Sequence, residues 1–110
     1  MKSLKSVVSE VFKEILYEAE VILRSDRSRN LTVVTDNLRG VCGITVVNVQ
    51  EPAKPVSTTV ERTLLKVKFF LLEPTIGEHV RRMSLESRRI DGVYSFLVKK
   101  VNKVSSRVYR

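Results

Sequence analysis

The chain has 110 residues, a formal net charge of +8, and 43% apolar and 29% charged residues. Those values suit one compact domain with a modest core and exclude a disordered polyelectrolyte. No apolar run approaches the roughly 20 residues of a membrane-spanning helix, and the opening M-K-S-L-K-S-V-V-S-E-V-F-K-E is too broken by charge to be a secretory signal core.

Residues 3 to 18 read as an amphipathic helix. Leu4, Val8, Val11 and Ile15 recur at three- and four-residue spacing, and Val7, Phe12, Leu16 and Ala19 widen the stripe. The run A-E-V-I-L-R, 19 to 24, either extends that helix or alternates as a short strand. R-S-D-R-S-R-N, 24 to 30, is a loop whose Arg24, Arg27 and Arg29 are expected to be solvated and free to meet an acidic partner. A second helix follows on Leu31, Val34, Leu38 and Val41, with Asn30 or Thr32 as its N-cap and Gly40 or Gly43 as its stop.

G-I-T-V-V-N-V-Q, 43 to 50, is β-branched and strand-like, and E-P-A-K-P-V-S-T-T is a loop or hairpin arm. In R-T-L-L-K-V-K-F-F-L-L, 62 to 72, Leu65, Val67, Phe69 and Leu71 alternate with Lys66, Lys68 and Phe70. Thr75 and Glu78 form a capping box that opens a helix with the core stripe Ile76, Val80, Met83, Ser87, Ile90. Asp91-Gly92 ends it, V-Y-S-F-L-V-K-K-V is the last strand, and the tail is polar and basic.

The halves echo each other: Val41-Cys42-Gly43-Ile44 and Ile90-Asp91-Gly92-Val93 both lead from helix to strand. With 19 to 26 as a strand, the order is strand, helix, strand, strand, helix, strand. That is the split βαβ, ferredoxin-like α+β arrangement of a four-stranded antiparallel sheet with two helices. The expected organisation is an N-terminal amphipathic helix over 1–18, a ferredoxin-like domain over 19–104 and a basic tail over 105–110. Such a fold leaves one sheet face open, and the N-terminal helix either covers it or leaves the domain to pack on another subunit. The unit is expected to fold without residues 1–17.

Catalytic chemistry finds no foothold. His79 is the only histidine and Cys42 the only cysteine, so neither a nucleophile–base pair nor zinc-ligand spacing can be built, and no cofactor is expected. Cys42 allows no internal disulfide, which favours an intracellular setting, and its junction position suits a small buried residue. The chain is read as a non-enzymatic binding module.

Its partner surfaces follow from charge and helical geometry. Residues 56 to 110 hold twelve Lys/Arg against five Asp/Glu, while residues 1 to 55 are nearly balanced at eight against seven. On the helix from 75 to 90, about 100° per residue places Arg81 and Arg88 on one side of Leu85 and Arg82 and Arg89 on the other, opposite the core stripe. An exposed leucine framed by arginines is a docking surface, unless Glu78 and Glu86 pair with those arginines and make the face self-satisfied. With Val8, Val11, Phe12 and Ile15 of the N-terminal helix, these are the expected contacts with protein subunits, in a homo-oligomer or a larger assembly. The alternative is sequence-independent nucleic-acid binding through Lys66, Lys68, Lys99, Lys100, Lys103 and Arg107, with Phe70 and Tyr94 as candidate stacking residues. No membrane partner is expected.

The string N-L-T-V-V-T-D-N-L-R-G-V-C-G-I-T-V-V, with L-L-K-V-K-F-F and R-R-I-D-G-V-Y-S-F downstream, resembles small proteins encoded by tailed bacteriophages over roughly residues 28 to 101. Those strings tend to carry proline where this chain has Cys42. The resemblance implies a phage origin and a virion or assembly role, in the host cytoplasm or the virion, and assigns no functional residue.

Overall fold

A computed structural model describes residues 13–71 and 76–108, with side chains over 14–71 and 76–105. The elements run β1 (Lys13–Asp26), α1 (Leu31–Cys42), β2 (Thr45–Pro55), β3 (Val60–Leu71), α2 (Ile76–Ser87) and β4 (Val93–Val108). The strands form one four-stranded sheet in the order β2-β3-β1-β4, with every pairing antiparallel. This α+β architecture is compatible with the expected ferredoxin-like arrangement.

β1 is where sequence and structure part. Residues 13–18, expected to close the N-terminal helix, are the first half of a 14-residue strand. Ile15, Tyr17, Ala19, Val21 and Leu23 are buried, whereas their neighbours Glu14, Leu16, Glu18, Glu20 and Ile22 are only partly so. A stripe at three-and-four spacing and one at two coexist here, because Leu16 and Ile22 are apolar on the opposite parity. Hydrogen bonding to β3 and β4 on both sides decides for the strand, and tertiary pairing overrides local helix propensity. The domain therefore starts by Lys13, not at 19. Residues 105–108, assigned to a basic tail, are the end of β4 and pair with residues 13–16. The remainder of the expected N-terminal helix lies outside the described residues.

α1 forms as its caps dictate; Thr75 of the expected capping box for α2 lies outside the described residues. Asn30 Oδ1 accepts the Thr32 backbone N–H at 2.8 Å, opening α1. Gly43, at φ 67°, closes it by donating its N–H to the Arg39 carbonyl. Gly40 lies inside the helix, and Val41, expected on the core face, is exposed; Cys42 is buried in its place. Gly92 also takes a positive φ, 88°, so the echoed helix-to-strand junctions share one backbone device. A Cβ on Gly92 would sit 2.7 Å from Arg29 Cγ, so the arginine stem lies directly over this glycine.

Both helices pack on one face of the sheet. Val34, Leu38, Met83, Leu65, Val67 and Phe69 share a buried cluster, with Ile76 and Val80 against its edge, as the alternation of β3 predicted. Phe69 is central: its ring stacks on Tyr17, its register partner on β1, at 5.6 Å, and on His79 of α2 at 5.4 Å. Thr63, fully buried in the same layer, has no hydrogen-bond partner for its hydroxyl among the described residues.

Two measurements test this core. Phe69→Ala is expected to cost about 3–5 kcal/mol, the range for emptying a buried phenylalanine site, seen as a lower urea midpoint; an unchanged midpoint would place the ring outside the core. Deleting residues 1–17 cuts β1 and removes buried Ile15 and Tyr17, each contributing about 1.5–3 kcal/mol. Contrary to the sequence-based expectation, the shortened chain should lose its cooperative thermal transition in circular dichroism. A wild-type melt would show that β1 is dispensable up to Glu18.

Candidate interaction surfaces

The opposite parity of each strand faces away from both helices, and no described element packs there. Register groups these side chains into rows across the sheet. Leu16 lies opposite Phe70, Glu18 between Lys68 and Asn102, and Glu20 between Lys66 and Lys100. Ile22 lies between Leu64 and Leu97, and Arg24 between Arg62 and Ser95. Two apolar rows thus flank a charged middle, and Phe70 and Leu97 are each 59% exposed.

The charges on this face are only partly matched. Lys66 Nζ sits 3.0 Å from Glu18 Oε1, a diagonal cross-strand pair. Glu18, Glu20, Lys66, Lys100 and Asn102 line a depression of about 210 Å³. Among the described residues Glu20 makes no ion pair, and neither does Arg24 or Arg62. Arg24 and Arg62 are direct register partners, and like charges so placed destabilise a sheet.

On α2, the expected constellation forms. Leu85 is 59% exposed, and Arg81, Arg82, Arg88 and Arg89 are exposed around it, the last two in the turn after the helix. Glu78 and Glu86 pair with none of them, so the self-satisfied alternative for this face is not what the chain adopts.

The arginines of the 24–30 segment divide. Arg24 belongs to β1 and points from the open face. Arg27 donates from Nη1 to the Ser57 carbonyl at 3.0 Å, and its backbone N–H donates to Thr59, docking the turn on the β2–β3 hairpin. Arg29 pairs with Asp91. Two of the three arginines expected to be free therefore tie loops together. Asp26 organises the turn by accepting the Ser28 N–H at 2.9 Å and hydroxyl at 2.8 Å. Those hydrogen bonds, and then the Arg29 charge, hold its carboxyl below the ordinary range.

Of the residues assigned to partner binding through the N-terminal helix, Ile15 is a core residue at 3% exposure and cannot be a contact; Val8, Val11 and Phe12 lie outside the described residues. For the nucleic-acid alternative, Lys66, Lys68 and Lys100 share the open face, but Glu18 and Glu20 stand among them. Lys99 and Lys103 are exposed on β4, and Arg107 lies opposite Glu14 in register. Phe70 and Tyr94 are not neighbours: they sit about eight residues apart along the sheet, roughly 26 Å. The two therefore do not form one stacking platform.

Groups with reactive potential are held as structure. Burial, and then the charge of Glu86, pushes the Cys42 thiol up to about 11, and its Sγ faces the Met83 carbonyl at 3.8 Å. Among the described residues no three His, Cys, Asp or Glu side chains gather as a metal site. No family model matches the chain, and no curated protein matches it either. No described helix is long and apolar enough to cross a membrane.

Sequence reasoning missed the row Ile22, Leu64, Leu97 and the unpaired Glu20. The available signal was the broken alternation in Val21-Ile22-Leu23, Leu64-Leu65 and Phe96-Leu97-Val98; only the register sets the three side by side.

His79 supplies a pH test. Partial burial, and then the Arg82 charge, hold its pKa below 6.5, with Glu86 opposing. The unfolded chain then takes up a proton at higher pH than the folded one, so this contribution is complete above pH 6.5 and is lost as pH falls through the folded pKa. Urea midpoints should drop with acidification from neutral pH, and His79→Phe, which keeps a ring on Phe69, should flatten the slope. Parallel slopes in the two proteins would remove His79 as the cause.

Proposed function

We propose that the chain is a non-enzymatic assembly module on a ferredoxin-like frame, joining protein subunits through its open sheet face and the Leu85–arginine face of α2. One observation carries the reading. An antiparallel sheet packed on one side by both helices presents on the other two apolar rows with no described element over them. Apolar centres rimmed by charge are how protein interfaces are built, with aromatic and arginine side chains enriched. The phage resemblance fits a virion or assembly setting for such a module.

A second reading has its own support. Among the described residues Arg81, Arg82, Arg88 and Arg89 have no carboxylate partner, in a chain of net charge +8, so phosphate contact through α2 is the runner-up. The acidic residues of β1 count against the sheet as the nucleic-acid surface.

Native mass measurement of the purified full chain, before and after nuclease, separates the two. Assembly through an apolar face predicts a mass above one chain that survives nuclease and high salt, and that Leu97→Asp lowers. Phosphate binding predicts a mass that falls with nuclease and an affinity that falls steeply with salt. A nuclease-treated chain that stays monomeric throughout would end the assembly reading.

A further inference from the structure

The outer face of α2 frames an apolar centre with arginines and holds little acid of its own. At about 100° per residue, Arg81 and Arg82 stand one turn before Leu85, one on each flank of it. Two hydrogen bonds, from the Arg89 N–H to the Glu86 carbonyl and from the Ile90 N–H to that of Ser87, carry the helical path one turn further. Arg88 and Arg89 therefore stand one turn after Leu85, again one on each flank. The two arginines of a flank are spaced roughly 10 Å along the axis, and Leu85 lies 59% exposed among the four. Glu78 shares this face, but two turns before Leu85, in the first turn where the helix dipole favours an acid. Glu86 is half-buried on the α1 side of the helix, where its charge, after burial, helps raise the Cys42 thiol.

We propose that this face docks an acidic helix of a protein other than this one, with an apolar side chain set against Leu85 and carboxylates one turn to either side of it paired with the four arginines. This deepens the assembly reading and rests on its α2 contact, since it names the partner of that face.

Three considerations select this occupant. The first is counter-charge. Among the described residues no other face gathers acids apart from cations. Glu18 and Glu20 stand beside Lys66, Lys68 and Lys100, and Glu14 lies opposite Arg107. Glu51 meets Lys54, and Asp26 and Asp91 are held by Ser28 and Arg29. Asp36 and Glu61 stand singly, on α1 and β3. A second α2 would bring four more arginines, so the complement has to come from a different molecule.

The second is the kind of cation. The sequence holds no lysine from Arg27 to Ala53 or from Phe69 to Val98, so every cation of the helical layer is an arginine. Protein interfaces are enriched in arginine and depleted in lysine. The planar guanidinium grips a carboxylate through two parallel hydrogen bonds, where lysine acts as a point charge.

The third is Leu85 itself. A phosphate backbone would also meet the arginines, but it offers little apolar surface to a leucine at their centre. An apolar anchor ringed by polar contacts that exclude water is the build of an interface hot spot.

Fluorescence anisotropy of the full chain with defined probes tests the docking. The probe is a labelled helical peptide with a central leucine and glutamates three and four residues to either side; a glutamine version and a short DNA duplex are the controls. The glutamate peptide should bind and the glutamine version should not. Leu85→Ala should weaken the peptide about tenfold, as for loss of a hot-spot anchor, and leave the duplex unchanged. Lysine in place of all four arginines keeps the charge, so it should weaken the peptide while sparing the duplex. Wild-type melts of both variants, expected for exposed positions, would show that neither change unfolds the chain. A glutamate peptide that fails to bind, or binds regardless of Leu85, would overturn the docking. Arginine dependence confined to the duplex would assign the face to phosphate instead. A chain whose assembly yields to Leu97→Asp but which ignores the peptide keeps the assembly reading through its sheet and loses only this partner.

Discussion

Everything else in the molecule hangs on β1, hydrogen-bonded to β3 on one side and β4 on the other from Ile15 to Ser25. An antiparallel strand joined along both edges has no freedom of register. With side chains alternating at period two, its odd positions must all enter one layer and its even positions the other. The odd set supplies the floor on which α1 and α2 pack. The even set brings Glu18, Glu20, Ile22 and Arg24 into one line down the middle of the open face. Core and surface pattern are thus two consequences of one pairing. A slip of one residue would exchange them, burying three charges and exposing the floor of the core.

The C-terminal end of β1 is secured by loop chemistry. The Asp26 backbone N–H donates to the Gly92 carbonyl at 2.8 Å, and that of Arg27 to Thr59 at 3.0 Å. Arg29 then crosses Gly92 to reach Asp91. The connection after β1, the β2–β3 turn and the connection before β4 are stitched at one end of the sheet by side chains that look, in sequence, like a solvated basic loop. An exposed ion pair contributes little on its own; here the pairing with Asp91 also lays the arginine stem across a glycine whose left-handed backbone leaves room for it.

How far the sequence was legible depended on whether one strand or two neighbours had to be known. β3 could be read directly, since Leu65, Val67, Phe69 and Leu71 alternate with Lys66, Lys68 and Phe70 through its second half, and burial follows that alternation. The caps of α1, each narrowed to two residues of which Asn30 and Gly43 serve, and the exposure of Leu85 opposite Met83, were equally local. β1 was not local. Its charged and apolar residues satisfy a helical stripe as well as a strand, and only its two neighbours break the tie. The Ile22–Leu64–Leu97 row was further still from view, because it needs the alignment of three segments far apart in the chain. Assigning Ile15 to a partner surface was the direct cost of reading β1 as helix.

The edges of the sheet are unlike its centre. β1 and β3 run in unbroken register over twelve pairs. β4 shifts register three times against β1, skipping Tyr94, Lys99 and Val104 at five-residue intervals, and β2 shifts three times against β3. An irregular edge is a poor template for an incoming strand, because bulges twist its free N–H and C=O groups out of line. Both outer strands of this sheet are therefore blunted against fibrous edge-to-edge growth. Under the proposed assembly reading, contact between molecules would be left to faces, and a two-fold pairing of faces closes on itself at two copies. In that reading a larger object built from this chain would extend through faces and not along its strands.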